Sequence, residues 1–131
     1  MLYIGHFSYD ELGAEQKPRH GYFTGLVEAE NADHAVSEFE DLIGKLKNKN
    51  KLFHRIVAVY IEDIIEIKDI PRKAIITRIQ SSAGEFPKSI SHSLPEVGLP
   101  GIAAYGWAPD VKKIREGGDS GYQEMVPFIK F

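Results

Sequence analysis

Arg55–Ile67 constrains the fold more than any other stretch of this chain. All of its residues except Arg55, Glu62, Asp63 and Glu66 are apolar, and most of those are Val or Ile. β-Branched side chains are stiff at the first torsion and suit a pleated, half-buried surface. From Ile56 to Ile61 no charged residue interrupts the run, which is the pattern of a strand covered on both faces. The second half mixes acids with isoleucines, as a strand leaving the core does. Glu62, Asp63 and Glu66 are therefore expected to meet water, and the stretch reads as the central strand of a sheet.

The preceding segments supply its cover. Leu2 to Tyr9 reads as a strand, with Tyr3, Phe7 and Tyr9 on one side and Leu2, Ile4 and His6 on the other. Gly21 to Ala29 reads as its hairpin partner, with Asp10 to Arg19 as a long polar loop between them. Asn31 to Asn48 has the marks of a helix. Asn31 is a good N-cap, Asp33 suits the positive end of the helix dipole, and Ala35, Val36, Phe39, Leu42, Ile43 and Leu46 form one stripe at helical period. Strand, helix and central strand in succession make a βαβ crossover. It puts the second and third strands parallel in one sheet, with the helix on one face.

The rest of the chain is less regular. Ala74 to Gln80 reads as a fourth strand paired back on the third. Ser89 to Leu94 alternates as a short edge strand, with Ile90, His92 and Leu94 on one side and the serines on the other. Ile102 to Trp107 is a further strand. Pro109 suits the start of a short helix over residues 110–116, with Val111 and Ile114 inward and Gly117-Gly118 as its stop. Tyr122 to Phe131 reads as a terminal edge strand, because Pro127 cannot donate to a ladder. The expected architecture is a single α+β domain over residues 1–131. It has a sheet of about five to seven mixed strands and one main amphipathic helix, Asn31–Asn48. The β-β-α-β-β start resembles the element order of ferredoxin-like sandwiches, and element order by itself fixes no activity.

Composition removes whole classes of function. There are no cysteines, so disulfides, thiolate nucleophiles and zinc sites built on sulfur are excluded. The net charge of −3 gives no global basic field for nucleic acid or anionic lipid. No window approaches the roughly 18 apolar residues of a membrane helix, and Met1–His6 lacks the pattern of a secretory signal. A soluble, cytoplasmic protein is expected. No pair among His6, His20, His34, His54 and His92 has a metal-site spacing, and no glycine-rich phosphate loop is present, so neither metal nor cofactor is expected.

Ser89, Ser91, His92, Ser93 and Glu96, with Glu85 upstream, form the densest polar set able to do chemistry. Adjacent residues on a strand point to opposite faces, so Ser91 is badly placed to use His92 as its base. A ligand-contacting loop is the other use of such a segment. Tyr105 and Trp107 suit a pocket wall, although large aromatics also supply core or dimer contacts. Gly118-Asp119-Ser120-Gly121 resembles the tetrapeptide around the nucleophile of chymotrypsin-like serine proteases. Tyr122 follows where Gly is usual, and the chain is too short for a double barrel, so this piece reads as a turn. Leu94-Pro95-Glu96-Val97-Gly98 resembles a sortase sorting signal but has neither hydrophobic tail nor basic end behind it.

The favoured reading is a non-enzymatic binding module that forms a homodimer through Ala104–Trp107 and Tyr122–Phe131, with a small molecule or a protein as its partner. The competing reading is a hydrolase-like enzyme with its site at residues 85–96 and His92 as acid or base. The third is RNA binding through the basic stretch Lys45–Arg55, against which the acidic net charge weighs.

Overall fold

The computed structural model describes residues 1–13, 15, 17–82, 89–93, 101–108, 111–116 and 126–131; for 80–82, 89–93 and 115–116 it describes the backbone path alone. The elements are β1 (Leu2–Leu12), β2 (Pro18–Glu28), α1 (Ala32–Lys49), β3 (Ile56–Ile67), β4 (Arg78–Ser82), β5 (Ser89–Ser93), β6 (Ile102–Ala108), β7 (Lys113–Glu116) and β8 (Ile129–Lys130). Six strands form one sheet in the order β2-β1-β3-β6-β7, with β8 also on β3. The class is α+β, as expected.

The sheet is not mixed, because every neighbouring pair in it is antiparallel. The crossover through α1 does carry the chain from β2 to β3 in the same direction. β1 lies between them, however, and runs opposite to both. Both ends of the polar loop expected over Asp10 to Arg19 are strand: β1 and β2 pair without a shift from Leu2↔Glu28 to Leu12↔Pro18. Polar cross-strand pairs hold this extension, Asp10 against His20 at 2.9 Å and Glu11 against Arg19 at 3.3 Å.

α1 begins where its cap predicts. Asn31 is extended (φ −154°, ψ 173°) and its side chain accepts from the His34 N–H at 2.8 Å. Ala35, Val36, Phe39 and Ile43 are buried against the sheet. Leu42 departs from the expected stripe and is 48% exposed. The sheet makes room for the helix with two glycines directly opposite each other, Gly5 and Gly25. A Cβ on Gly5 would fall 2.9 Å from the Phe39 ring, and one on Gly25 2.7 Å from it. The Phe39 ring therefore rests on bare backbone. Phe7 stacks on Phe23 at 4.9 Å and meets Phe39 edge-on at 5.2 Å, and burying a ring of this size contributes about 1.5–3 kcal/mol.

Two further expectations are corrected. Residues 113–116 form strand β7, hairpinned onto β6 with Trp107 opposite Ile114, and not the second half of a helix over 110–116. Lys112 has φ +52°, which a continuing helix does not permit. The fourth strand does not pair back on the third: Arg78–Ser82 pairs with Ser89–Ser93 in a separate two-stranded sheet. Residues 122–125 of the expected terminal strand lie outside the described residues, and within 126–131 only Ile129–Lys130 is strand.

The largest correction concerns the central strand. β3 stays buried to its end, including Glu62, Asp63 and Glu66. Opposite His6 and Phe7 it carries one extra residue: His6 pairs with Asp63 and Phe7 with Ile61, leaving Glu62 as a bulge. A bulge re-aims side chains and raises local twist. Here both neighbouring acids serve the sheet face opposite α1.

Candidate functional site

Alternation along β1 divides its side chains. Tyr3, Phe7 and Tyr9 belong to the helix-side core, so His6, Ser8 and Asp10 stand on the other face. Leu2, Ile4, Ile65, Ile67, Ile102 and Ala104 make the apolar end of that face. Beyond them it turns polar, at His6, Ser8 and Asp63, and these three are 3%, 1% and 0% exposed.

The His6 imidazole is held at both nitrogens. Nδ1 lies 2.5 Å from Asp63 Oδ1, and Nε2 lies 3.4 Å from Thr77 Oγ1. A proton on Nδ1 donates to Asp63, and in the neutral ring Nε2 is then the acceptor that faces the Thr77 hydroxyl. The next residue, Arg78, reaches over the bulge: its guanidinium is 3.7 Å from Glu62 Oε2, with both side chains largely buried. The same guanidinium lies 5.5 Å over the Tyr22 ring. Thr77 and Arg78 thus bring the chain entering β4 down onto the polar end of the face.

Two atoms in this cluster stand out. Asp63 Oδ2 and Ser8 Oγ are buried and have no hydrogen-bond partner among the described residues. An unpaired buried polar atom costs about 1–3 kcal/mol, and nearly all such groups in folded proteins find a partner.

A second carboxylate–imidazole pair follows on the same face. Asp10 Oδ1 meets His20 Nδ1 at 2.9 Å, and Asp10 Oδ2 accepts from the Tyr60 hydroxyl at 2.7 Å. Burial, and then this bond to a carboxylate, push the Tyr60 hydroxyl up to about 12. On the helix side, Glu66 Oε2 accepts from Tyr3 at 2.7 Å and from Tyr105 at 3.2 Å. Burial first, and Glu66 second, raise the Tyr3 hydroxyl above its ordinary range. This third cluster has a partner on each hydroxyl and closes the end of the core.

Comparison with family models, with curated proteins and with solved structures gives no match. The functional reading therefore rests on the geometry alone.

Of the residues singled out from sequence, Tyr105 binds Glu66, and Trp107 packs edge-on against Phe128 at 5.2 Å. Both belong to the helix-side core rather than to the polar cluster. Ser89, Ser91 and His92 lie on β5, opposite Ser82, Gln80 and Ile79 of β4, and their side chains are outside the description. Glu85 and residues 118–121 lie outside the described residues. The dimer surface expected at Ala104–Trp107 is not a free edge, because β6 lies between β3 and β7.

In the basic stretch, Lys47 Nζ donates to the carbonyls of His54 at 2.6 Å and Ile56 at 2.8 Å, which ties the turn after α1 to the start of β3. Phe53 is partly buried and packs edge-on against Phe23 of the core at 5.3 Å. Asn48, Lys49, Asn50, Lys51, His54 and Arg55 line an open pocket of about 400 Å³ there.

Sequence reasoning missed His6, Ser8, Asp63 and Thr77. The acids on an otherwise apolar strand were the available signal. Among the described residues no cluster of three or more His, Asp or Glu is arranged to hold a metal, and no helix is long and apolar enough to cross a membrane.

Proposed function

We propose that the protein is a small-molecule-binding module whose site is the polar end of the sheet face opposite α1, around His6, Ser8 and Asp63. The observation that carries this reading is the pair of buried, unpartnered atoms, Asp63 Oδ2 and Ser8 Oγ. Asp63 orients the His6 imidazole through its other oxygen, and Ser8 follows His6 by two residues on the same strand face. An ionised carboxylate oxygen only accepts, so the ligand presents an N–H or O–H to Asp63. Arg78 and Thr77 cover the site and give it a polar roof. Binding sites combine apolar walls with a few convergent polar groups, and the apolar half of this face, Ile4, Ile65 and Ala104, supplies such a wall.

The test is a thermal-shift screen of small amines, amides and alcohols against the wild type and Ser8→Ala. The reading expects compounds that raise the wild-type Tm and lose that effect in the variant, while the unliganded variant melts no lower than the wild type. A screen in which the same compounds shift both proteins equally counts against it.

A second reading has one observation in its favour. Asp63, His6 and Thr77 stand in the order carboxylate, imidazole, hydroxyl, with the imidazole nitrogens facing the correct partners. On this reading His6 takes the Thr77 proton as the hydroxyl attacks an ester carbonyl, then returns it to the leaving alkoxide. Turnover of p-nitrophenyl acetate, lost in Thr77→Val and in His6→Gln, would support it. Turnover equal in wild type and Thr77→Val would sink it.

A further inference from the structure

We propose that the turn after α1 forms a binding site for a small sugar phosphate. The site is the open pocket of about 400 Å³ lined by Asn48, Lys49, Asn50, Lys51, His54 and Arg55. That volume falls within the usual range of small-ligand sites. None of the lining residues belongs to the His6–Asp63 cluster.

Charge singles this pocket out. Lys45 to Arg55 carries five basic residues and no acid, in a chain whose net charge is −3. The helix end accounts for part of this, because cations in a last turn complement the dipole, and Lys47 and Lys49 stand there. Lys51 and Arg55 lie beyond that turn and have no such use. Lys49, Lys51 and Arg55 are exposed, and among the described residues none of them is ion-paired to an acid. The negative end of α1 opposes an anion with about half an elementary charge, and three permanent cations outweigh it.

Hydrogen bonds fix the backbone that carries these side chains. The Asn50 N–H closes the helix onto the Leu46 carbonyl at 2.9 Å. Its side-chain oxygen accepts from the Leu52 N–H at 2.8 Å, and its carbonyl accepts from the Phe53 N–H at 3.1 Å. Lys47 Nζ holds the carbonyls of His54 and Ile56, and the Arg55 carbonyl accepts from the Leu12 N–H of β1. Lys47 is thus the clamp of the turn, and the other cations stand around a preformed concavity. Donors held in place before binding lose less freedom when the ligand arrives.

The donor set selects the ligand. Lysine and arginine side chains only donate. The guanidinium fork matches two phosphate oxygens at once, and the ammonium adds a point charge. A phosphate monoester carries about −1.5 to −2 charges at neutral pH, more than a single carboxylate brings. The amides of Asn48 and Asn50 suit the hydroxyls of a sugar. No Phe, Tyr or Trp is among the lining residues, whereas single-stranded RNA is held by stacking its bases on such rings.

The test is isothermal titration calorimetry with ribose 5-phosphate at neutral pH and physiological salt. The wild type should bind it saturably, one to one. Lys51→Gln and Arg55→Gln should each weaken binding about two- to fivefold, and together by more than either alone. Lys68→Gln removes the same charge beyond the opposite end of β3 and should leave the affinity unchanged. All three side chains are exposed, and melting curves check that the variants fold. No saturable binding by the wild type overturns the proposal, as do pocket variants that bind like the wild type. Equal weakening by Lys68→Gln shows a diffuse charge effect and also overturns it. Inorganic phosphate bound as tightly as the sugar phosphate overturns the sugar. Oligouridylate RNA bound more tightly than ribose 5-phosphate, and weakened by the same variants, makes the pocket part of an RNA interface and overturns the small ligand.

Discussion

His6 binds Asp63 through Nδ1 at 2.5 Å across adjacent strands, and both side chains are almost completely buried. A buried pair of this kind depends on both members, because removing one strands the other in a poorly solvating interior. Asp63→Ala should therefore lower stability by about 3–5 kcal/mol, measured by urea unfolding. His6→Phe combined with Asp63→Leu replaces both groups with apolar ones and should recover much of that loss. If the double variant is as unstable as the sum of the single ones, the pair is not the unit described above.

Glu66 was expected to lie at a solvated strand exit, where a substitution matters little. It is instead the shared acceptor of two tyrosine hydroxyls. Glu66→Leu should cost about 2–5 kcal/mol, since it leaves the fully buried Tyr3 hydroxyl without an acceptor. Glu66→Gln keeps an acceptor oxygen and should cost only about 1 kcal/mol. Thermal melts that coincide for the two variants would show that the tyrosines do not depend on Glu66.

The seat of Phe39 makes a separate prediction. Gly25→Val would place side-chain atoms where the ring now touches backbone. Overpacking of this kind costs typically 1–3 kcal/mol. Valine otherwise favours strands, so a stabilised variant would mean that Phe39 does not rest on the Gly5–Gly25 pair.

Tyr60 sets an alkaline limit. Its hydroxyl is pushed up to about 12 in the folded chain, against about 10 when unfolded. A group raised on folding contributes stability that is complete below its unfolded value and is lost as pH rises through its folded value. Wild-type stability should therefore fall between about pH 10 and pH 12, more steeply than in Tyr60→Phe. Parallel curves for the two proteins would contradict the bond to Asp10.

The fold was legible where a single local signal decided it. The unbroken apolar run of β3 and the cap and stripe of α1 needed no knowledge of the rest of the chain. The site was hidden because its chemistry is assembled from distant residues. His6 finds Asp63 on another strand, Thr77 arrives from a segment that had been expected to pair elsewhere, and Ser8 is an ordinary strand residue in the sequence. An acid within an apolar strand is usually read as a turn toward water. Only the partners on β1 and beside β4 reveal that Glu62 and Asp63 are enclosed. The helix expected over 110–116 failed for a related reason. Four residues are too few to separate the two periodicities, and the hairpin with β6 decided the outcome.

The central claim is that the enclosed face around Asp63 and Ser8 receives a ligand. The most direct measurement is a crystal structure of the protein soaked with the strongest compound from the thermal-shift screen. The account predicts density for that compound within hydrogen-bond distance of Asp63 Oδ2 and Ser8 Oγ, beneath Thr77 and Arg78. Protein donors on both atoms, or a single water bridging them with the compound bound elsewhere, would contradict it.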